Sequence, residues 1–251
     1  MDSIQSDGSL RVWMINHLSE TLGSHAILKG GMVLRVLDCP RYTNDLDYVF
    51  IPFQSKKEIV PLVLAAMAEF EGVKIDYRFH STMVRFTLEV KNRYGLFKTL
   101  LEASVADHCD AQPLSTGDFA VSHQQLPHVI RVMRFDVALA HKLAAWNERR
   151  LVRDLYDAYF IFKNLNELPN IEVLQRRLDA IQYARGPRSR TLPRRMGLPT
   201  FLSVLEEAVD TLTAQQVEQE LRDSMTLDQL AGLEKKIQIA LHRLIETLRN
   251  P

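Results

Sequence analysis

Apolar positions recur at helical spacing over residues 10–22, where Leu10, Val12, Trp13, Ile15, Leu18 and Leu22 are separated by polar neighbours. A short apolar stretch follows at His25 to Leu28. Then come Gly30-Gly31 and a helical run from Met32 to Leu37, which has to stop before Pro40. Residues 46–51 read as a buried strand ended by Pro52, and 55–70 as a helix carrying Val60, Leu62, Leu64, Ala65, Met67 and Ala68. Segments 73–79, 83–91 and 98–106 read as strands, the last two joined by the turn signal Asn92-Arg93-Tyr94-Gly95. Residues 107–128, with Pro113, Gly117 and Pro127, read as loop. From about 130 onward the pattern predicts helices at 134–149, 151–164, 171–182, 199–215 and 227–248, interrupted at 185–198. The expected organisation is an α/β (α+β) core over 1–130 and a helical domain over 131–251, sharing one cleft.

Composition changes this picture little. Hydrophobic residues make up 46% and charged residues 25%, as in ordinary soluble domains. Lys+Arg and Asp+Glu are both 31, so any nucleic-acid surface has to be a local patch. Two cysteines without a C-x-x-C spacing argue against a disulfide scaffold or zinc ribbon. No apolar run suits a secretory signal or a membrane span, so the expected location is the cytoplasm, with no membrane partner.

The candidate chemistry lies in Lys29 to Asp47. Gly30-Gly31 at a helix start offers unpaired backbone N–H groups that a phosphate can approach closely. A plain turn explains the same two residues. Asp45 and Asp47 sit two apart on a strand, so both carboxylates face one side while Leu46 and Tyr48 face the other. Such oxygen ligands suit Mg²⁺, with Mn²⁺ as an alternative, and paired ions can hold both oxygens of an in-line displacement. With 16 aspartates, about one Asp-x-Asp is expected by chance, so the pair gains meaning only from the glycine turn ahead of it. A third acid, Glu102, interrupts an apolar strand, either as a further ligand or as an edge-strand acid facing water. Glu89 is a weaker candidate.

Further along, Lys142 can act as a point charge on a triphosphate. Asp154 and Asp157 share a helix face and could steady Lys142 or act on an acceptor hydroxyl. The opposing reading is a solvated helix with i,i+4 pairs Arg150–Asp154 and Arg153–Asp157. Arg185, Arg188, Arg190, Arg194 and Arg195 form a basic segment broken by proline and glycine, which is either an RNA-phosphate loop or a solvated one. Asp107-His108-Cys109-Asp110 cannot easily converge on one ion. No Gly-x-x-x-x-Gly-Lys-Ser/Thr or Gly-x-Ser-x-Gly motif is present.

Two separated motifs give these residues a family likeness. Lys29-Gly30-Gly31 with Leu34-Arg35, then the run Arg41-x-Thr43-x-Asp45-Leu46-Asp47, in which thirteen residues, 32 to 44, separate Gly31 from Asp45, resembles the nucleotidyltransferase toxins of the AbiEii/AbiGii abortive-infection type, which include the MenT toxins. Lys142 followed by Arg153-Asp154-x-x-Asp157 is similar to the family's second segment, and the likeness spans roughly residues 24–163. It implies a polymerase β-like nucleotidyltransferase core with a mixed sheet, Mg²⁺, and a nucleoside triphosphate donor. It further implies a tRNA 3′ end as acceptor and an antitoxin partner. The implied catalytic set is Asp45, Asp47, Glu102, Lys142, Asp154 and Asp157. Lys29, Gly30, Gly31, Arg41, Thr43 and Lys142 would bind the nucleotide. Met32 and His141 depart from the family pattern, which leaves donor and acceptor less constrained than the reaction. The same chemistry on a small molecule or a protein, and a non-catalytic binding module, remain open readings.

Overall fold

The structure, a computed structural model, describes residues 3–68, 70–180 and 195–250. The chain forms two compact units: Met1–Cys39 with Thr43–Arg134, and Pro40–Tyr42 with Phe135–Pro251.

The first unit holds α1 (Asp7–Leu22), β1 (Ala26–Lys29), α2 (Gly31–Val36), β2 (Asp45–Phe50), α3 (Lys56–Ala68), β3 (Val73–Phe79), β4 (Val84–Asn92), β5 (Gly95–Val105), β6 (Ala111–Ser115), α4 (Gly117–Ser122) and β7 (Val129–Met133). Its seven strands form one sheet in the order β3-β4-β5-β2-β1-β7-β6. The β2–β5 and β1–β7 pairs are parallel and the others antiparallel, so the sheet is mixed as expected.

One sheet face is the core. Val84, Phe86, Leu88 and Val90 on β4, Leu101 and Ala103 on β5, and Leu46, Tyr48 and Phe50 on β2 are all buried. Their period of two places them on a single side. Helices α1 and α3 pack on the sheet, and α1 contributes the fully buried Leu10, Val12, Met14, Ile15 and Leu18. Helix α1 begins at Ser6, whose Oγ accepts from the Ser9 N–H at 3.0 Å, while the Ser9 Oγ accepts from the Ser6 N–H at 2.9 Å. Burying one such core side chain stabilises the unit by about 1.5–3 kcal/mol.

Two expectations fail here. The loop expected at 107–128 contains β6 and α4. Strand β6 is an edge strand paired only to β7, so it tolerates Pro113 and carries a weak apolar signal. The helical region expected from about 130 begins instead with β7, where Ile130 and Val132 are buried and Arg131 is exposed. That alternation is a strand pattern in a stretch too short to dominate the helical run after it.

The second unit holds α5 (Phe135–Arg149), α6 (Val152–Asn164), α7 (Ile171–Asp179), α8 (Leu198–Asp210), α9 (Ala214–Leu221), α10 (Leu227–Leu230) and α11 (Leu233–Arg249). Its core includes Leu139, Leu143, Trp146, Tyr156, Leu174, Phe201, Leu205, Leu241 and Leu244. The helix expected over 199–215 ends at Asp210 because Thr213 starts α9 with a capping box to Gln216. The helix expected over 227–248 is broken at Gly232, which adopts φ 66°. No helix among the described residues is long and apolar enough to cross a membrane.

Candidate active site

Strand register brings the first motif together. Lys29 on β1 lies opposite Asp47 on β2, Asp47 lies opposite Glu102 on β5, and Glu102 lies opposite Arg85 on β4. Residues opposite one another across a sheet project from the same face. That face is the one turned away from the buried Leu46, Tyr48 and Leu101. Asp45 shares it, one pleat along, opposite Leu100.

Asp45 is exposed and Asp47 half-buried, and neither side chain makes a hydrogen bond or ion pair with any described residue. Two adjacent carboxylates repel one another, and with neither held in an ion pair by a described residue they leave capacity for a cation. Gly30 shapes the same spot with φ 75° and ψ −155°, a conformation essentially reserved for glycine. A Cβ on Gly30 would lie 3.0 Å from the Asp47 Cβ and Cγ and would strike Oδ2. The missing side chain is what makes room for the carboxylate.

Glu102 is not an edge-strand acid, because β5 runs between β4 and β2. Its side chain is 19% exposed and paired with Arg85. The guanidinium donates from Nε at 3.0 Å and from a terminal nitrogen at 2.5 Å, both to Oε1. Oε2 has no hydrogen bond among the described residues. Glu89 is taken by Lys98 at 2.6 Å, which holds its carboxyl below the usual range.

These residues fit a hard divalent cation without forming a finished cage. Among the described residues, no three His, Cys, Asp or Glu side chains are gathered around one point. Mg²⁺ rarely needs such a cage, since one or two carboxylates with phosphate oxygens and waters complete its shell. Asp45 and Asp47 supply such a pair beside a glycine turn.

The second motif forms an ion cluster inside the helical unit. Asp157 on α6 is 1% exposed and accepts two bonds from Arg41, Nε to Oδ1 at 2.8 Å and a terminal nitrogen to Oδ2 at 3.0 Å. Lys142 on α5 approaches its Oδ2 at 2.6 Å. Burial alone would raise the Asp157 pKa, but Lys142 and Arg41 outweigh it and hold the carboxyl below its usual value. Asp154, also 1% exposed, is gripped by Arg149 through bonds of 3.1 and 2.6 Å. Burial dominates there, only partly offset by Lys142 and Arg149, and its pKa is raised.

The competing reading, a solvated helix with pairs Arg150–Asp154 and Arg153–Asp157, is therefore not what forms. Both aspartates point inward. Arg150 instead lies over the Trp146 ring at 4.3 Å and donates to Asn147. Arg41, expected at the nucleotide, is engaged with Asp157. Thr43 is half-buried, with no hydrogen bond to a described residue. Arg185, Arg188, Arg190 and Arg194 lie outside the described residues, and Arg195 is exposed. The thiol of Cys109 is pushed up to about 11 by burial, with Asp110 adding to the effect and Lys29 opposing it, so it is protonated at neutral pH. Sequence reasoning missed Arg85. Its signal was the alternation of β4, which puts Arg85 on the polar face in line with Glu102.

A family model described as "Nucleotidyl transferase AbiEii toxin, Type IV TA system" matches residues 17–242. Among solved structures, JHP933 from Helicobacter pylori is similar, with a TM-score of 0.57 and 14% identity over 99% of this chain and 94% of that one. A second H. pylori structure, provisionally described as a nucleotidyltransferase, has a TM-score of 0.53 and 14% identity over 97% and 95%. At that identity the likeness concerns the fold. A search of curated proteins returns no match.

Proposed function

The chain belongs to the nucleotidyl transferase AbiEii toxin family of type IV toxin–antitoxin systems, and on that premise we propose that it moves a nucleoside monophosphate from a nucleoside triphosphate to the 3′ end of an RNA, a tRNA in the first instance. The observation that carries this reading is the pair Asp45 and Asp47, on one strand face and in no ion pair with a described residue, with Gly30 shaped around the Asp47 carboxylate.

In this reading Asp45 and Asp47 hold Mg²⁺, or Mn²⁺ in its place, with Glu102 beside them. When bound, the ion supplies positive charge against the charge that gathers on the phosphate oxygens. Backbone N–H groups at Gly30 and Gly31 take the donor's terminal phosphates, and the Lys29 ammonium, which has no protein counter-ion among the described residues, adds charge at the same end of the row. Lys142 is a candidate point charge, oriented by Asp157. Asp157 suits that anchoring role better than a base role, because three cationic contacts already fill its two oxygens. The acceptor hydroxyl attacks the α-phosphorus, and the new P–O bond forms as the bond to the pyrophosphate oxygen breaks. The chain's contribution is placement and charge, the usual source of rate in phosphoryl chemistry.

The family's setting implies a cognate antitoxin. The test of the reaction is incubation with each α-labelled nucleoside triphosphate, Mg²⁺ and total RNA. Label on RNA 3′ ends, abolished by a chelator, is expected. Label confined to a protein or a small molecule moves the acceptor to that class, and no transfer to any acceptor rejects the reading.

A further inference from the structure

The catalytic row continues past Arg85. Arg78 on β3 lies directly opposite Arg85 on β4, so five side chains run across five strands in the order Lys29, Asp47, Glu102, Arg85, Arg78. Cations stand at both ends and acids in the middle. Like charges directly opposite one another weaken a sheet. Two rows along the same face this is avoided: Lys74 faces Glu89, which faces Lys98, and Lys98 bonds Glu89 at 2.6 Å, while the row between holds Asp76, paired with Lys74 at 3.4 Å, opposite Thr87. In the Arg78 row, Arg85 is spent on Glu102, and Arg78 is exposed with no hydrogen bond or ion pair to any described residue. The three groups Arg78, Arg85 and Glu102 therefore carry a net positive charge on an open sheet face, in a geometry suited to phosphate.

In-line transfer puts attacking and leaving oxygens on opposite sides of the phosphorus. This argument rests on the nucleotidyl-transfer reading above. With the pyrophosphate end at the glycine turn beside Lys29, the acceptor approaches from the Arg85 side. We infer that Arg78, next to the Glu102-paired Arg85, binds a backbone phosphate of the acceptor RNA strand. Arg78 lies about 14 Å across the sheet from Asp47 at ~4.8 Å per strand, one or two nucleotides back from a reacting 3′ end.

The experiment compares wild type, Arg78→Glu, Arg78→Lys and Lys57→Glu, the last an equal charge change on an exposed α3 position. Affinity for fluorescein-labelled unfractionated tRNA is measured by anisotropy over a salt series. KM is measured separately for tRNA and for the nucleoside triphosphate, and folding is checked by circular dichroism. Arg78→Glu is expected to weaken tRNA binding about 5–30-fold and to lower the salt slope by about 1. Its triphosphate KM stays within twofold, and Arg78→Lys and Lys57→Glu stay near wild type. Unchanged tRNA affinity in Arg78→Glu, or an effect matched by Lys57→Glu, overturns the inference while leaving the reaction in place. A raised triphosphate KM instead assigns Arg78 to the donor and also overturns it. A wild type that labels no RNA overturns the inference and the RNA reading together.

Discussion

Arg41 and Asp157, 116 residues apart in the chain, meet in a two-pronged ion pair with bonds of 2.8 and 3.0 Å, and Lys142 closes on the same carboxylate at 2.6 Å. This pairing explains why a loop residue just ahead of Asp45 groups with the helical unit. Removing the carboxylate takes away the charge partner that two largely buried cations share. Asp157→Asn should therefore lose about 3–5 kcal/mol at pH 7 in denaturant titrations followed by circular dichroism. A loss below about 1 kcal/mol would mean that the cluster does not stabilise the unit.

The pH dependence of that loss follows from the direction of the shift. The folded pKa of Asp157 lies below its ordinary value of 3.8. The unfolded chain thus takes up its proton first as pH falls. The carboxylate's stabilisation is complete above 3.8 and disappears as pH drops through the folded value. The deficit of Asp157→Asn relative to wild type should shrink below about pH 4. Asp154 has the opposite sign, because its folded pKa is raised by burial. Ionising it costs stability as pH rises above 3.8, so Asp154→Asn should be milder than Asp157→Asn at neutral pH. Equal deficits for the two variants across pH 3–7 would contradict this assignment.

Gly30→Ala tests the shape of the turn. The substitution forces an alanine into a conformation costing about 1–3 kcal/mol and drives its methyl group against Asp47. If the Asp47 position sets the rate, kcat/KM should fall by roughly tenfold or more with the fold retained, since about 1.4 kcal/mol is one decade. Wild-type turnover in this variant would show that the close approach is incidental.

Much of this arrangement was readable from sequence, and the failures have physical causes. The spacing of Asp45 and Asp47 and the buried Leu46 and Tyr48 followed from strand periodicity. Glu102 stood out because a lone acid on an apolar strand needs a partner. What sequence could not supply was register, which depends on pairings between distant strands. Register alone puts Arg85 beside Glu102 and Arg78 beside Arg85. The partners of the second motif were hidden for a similar reason. Local i,i+4 spacing suggested Arg150–Asp154 and Arg153–Asp157, but Arg41 and Lys142 from other segments and Arg149 from the end of α5 satisfy the buried carboxylates instead. The short strand β7 was hidden by the helical run that follows it.

Arg85 and a divalent cation should compete for the charge of Glu102, because the guanidinium already neutralises that carboxylate, although its bonds leave Oε2 open. Arg85→Met is expected to bind Mn²⁺ more tightly than wild type, by a few-fold in calorimetry without RNA, and to gain more thermal stability on adding the ion. Weaker Mn²⁺ binding in this variant would show instead that Arg85 holds Glu102 in the orientation the ion needs.

The central claim is that Asp45 and Asp47 are cation ligands for a bound triphosphate. Mn²⁺ titration in the presence of a non-hydrolysable nucleoside triphosphate, read by electron paramagnetic resonance, addresses it most directly. Wild type should take up the ion with the nucleotide, and Asp45→Asn and Asp47→Asn, folded by circular dichroism, should each lose at least tenfold in affinity. Undiminished Mn²⁺ uptake in both variants would contradict the account.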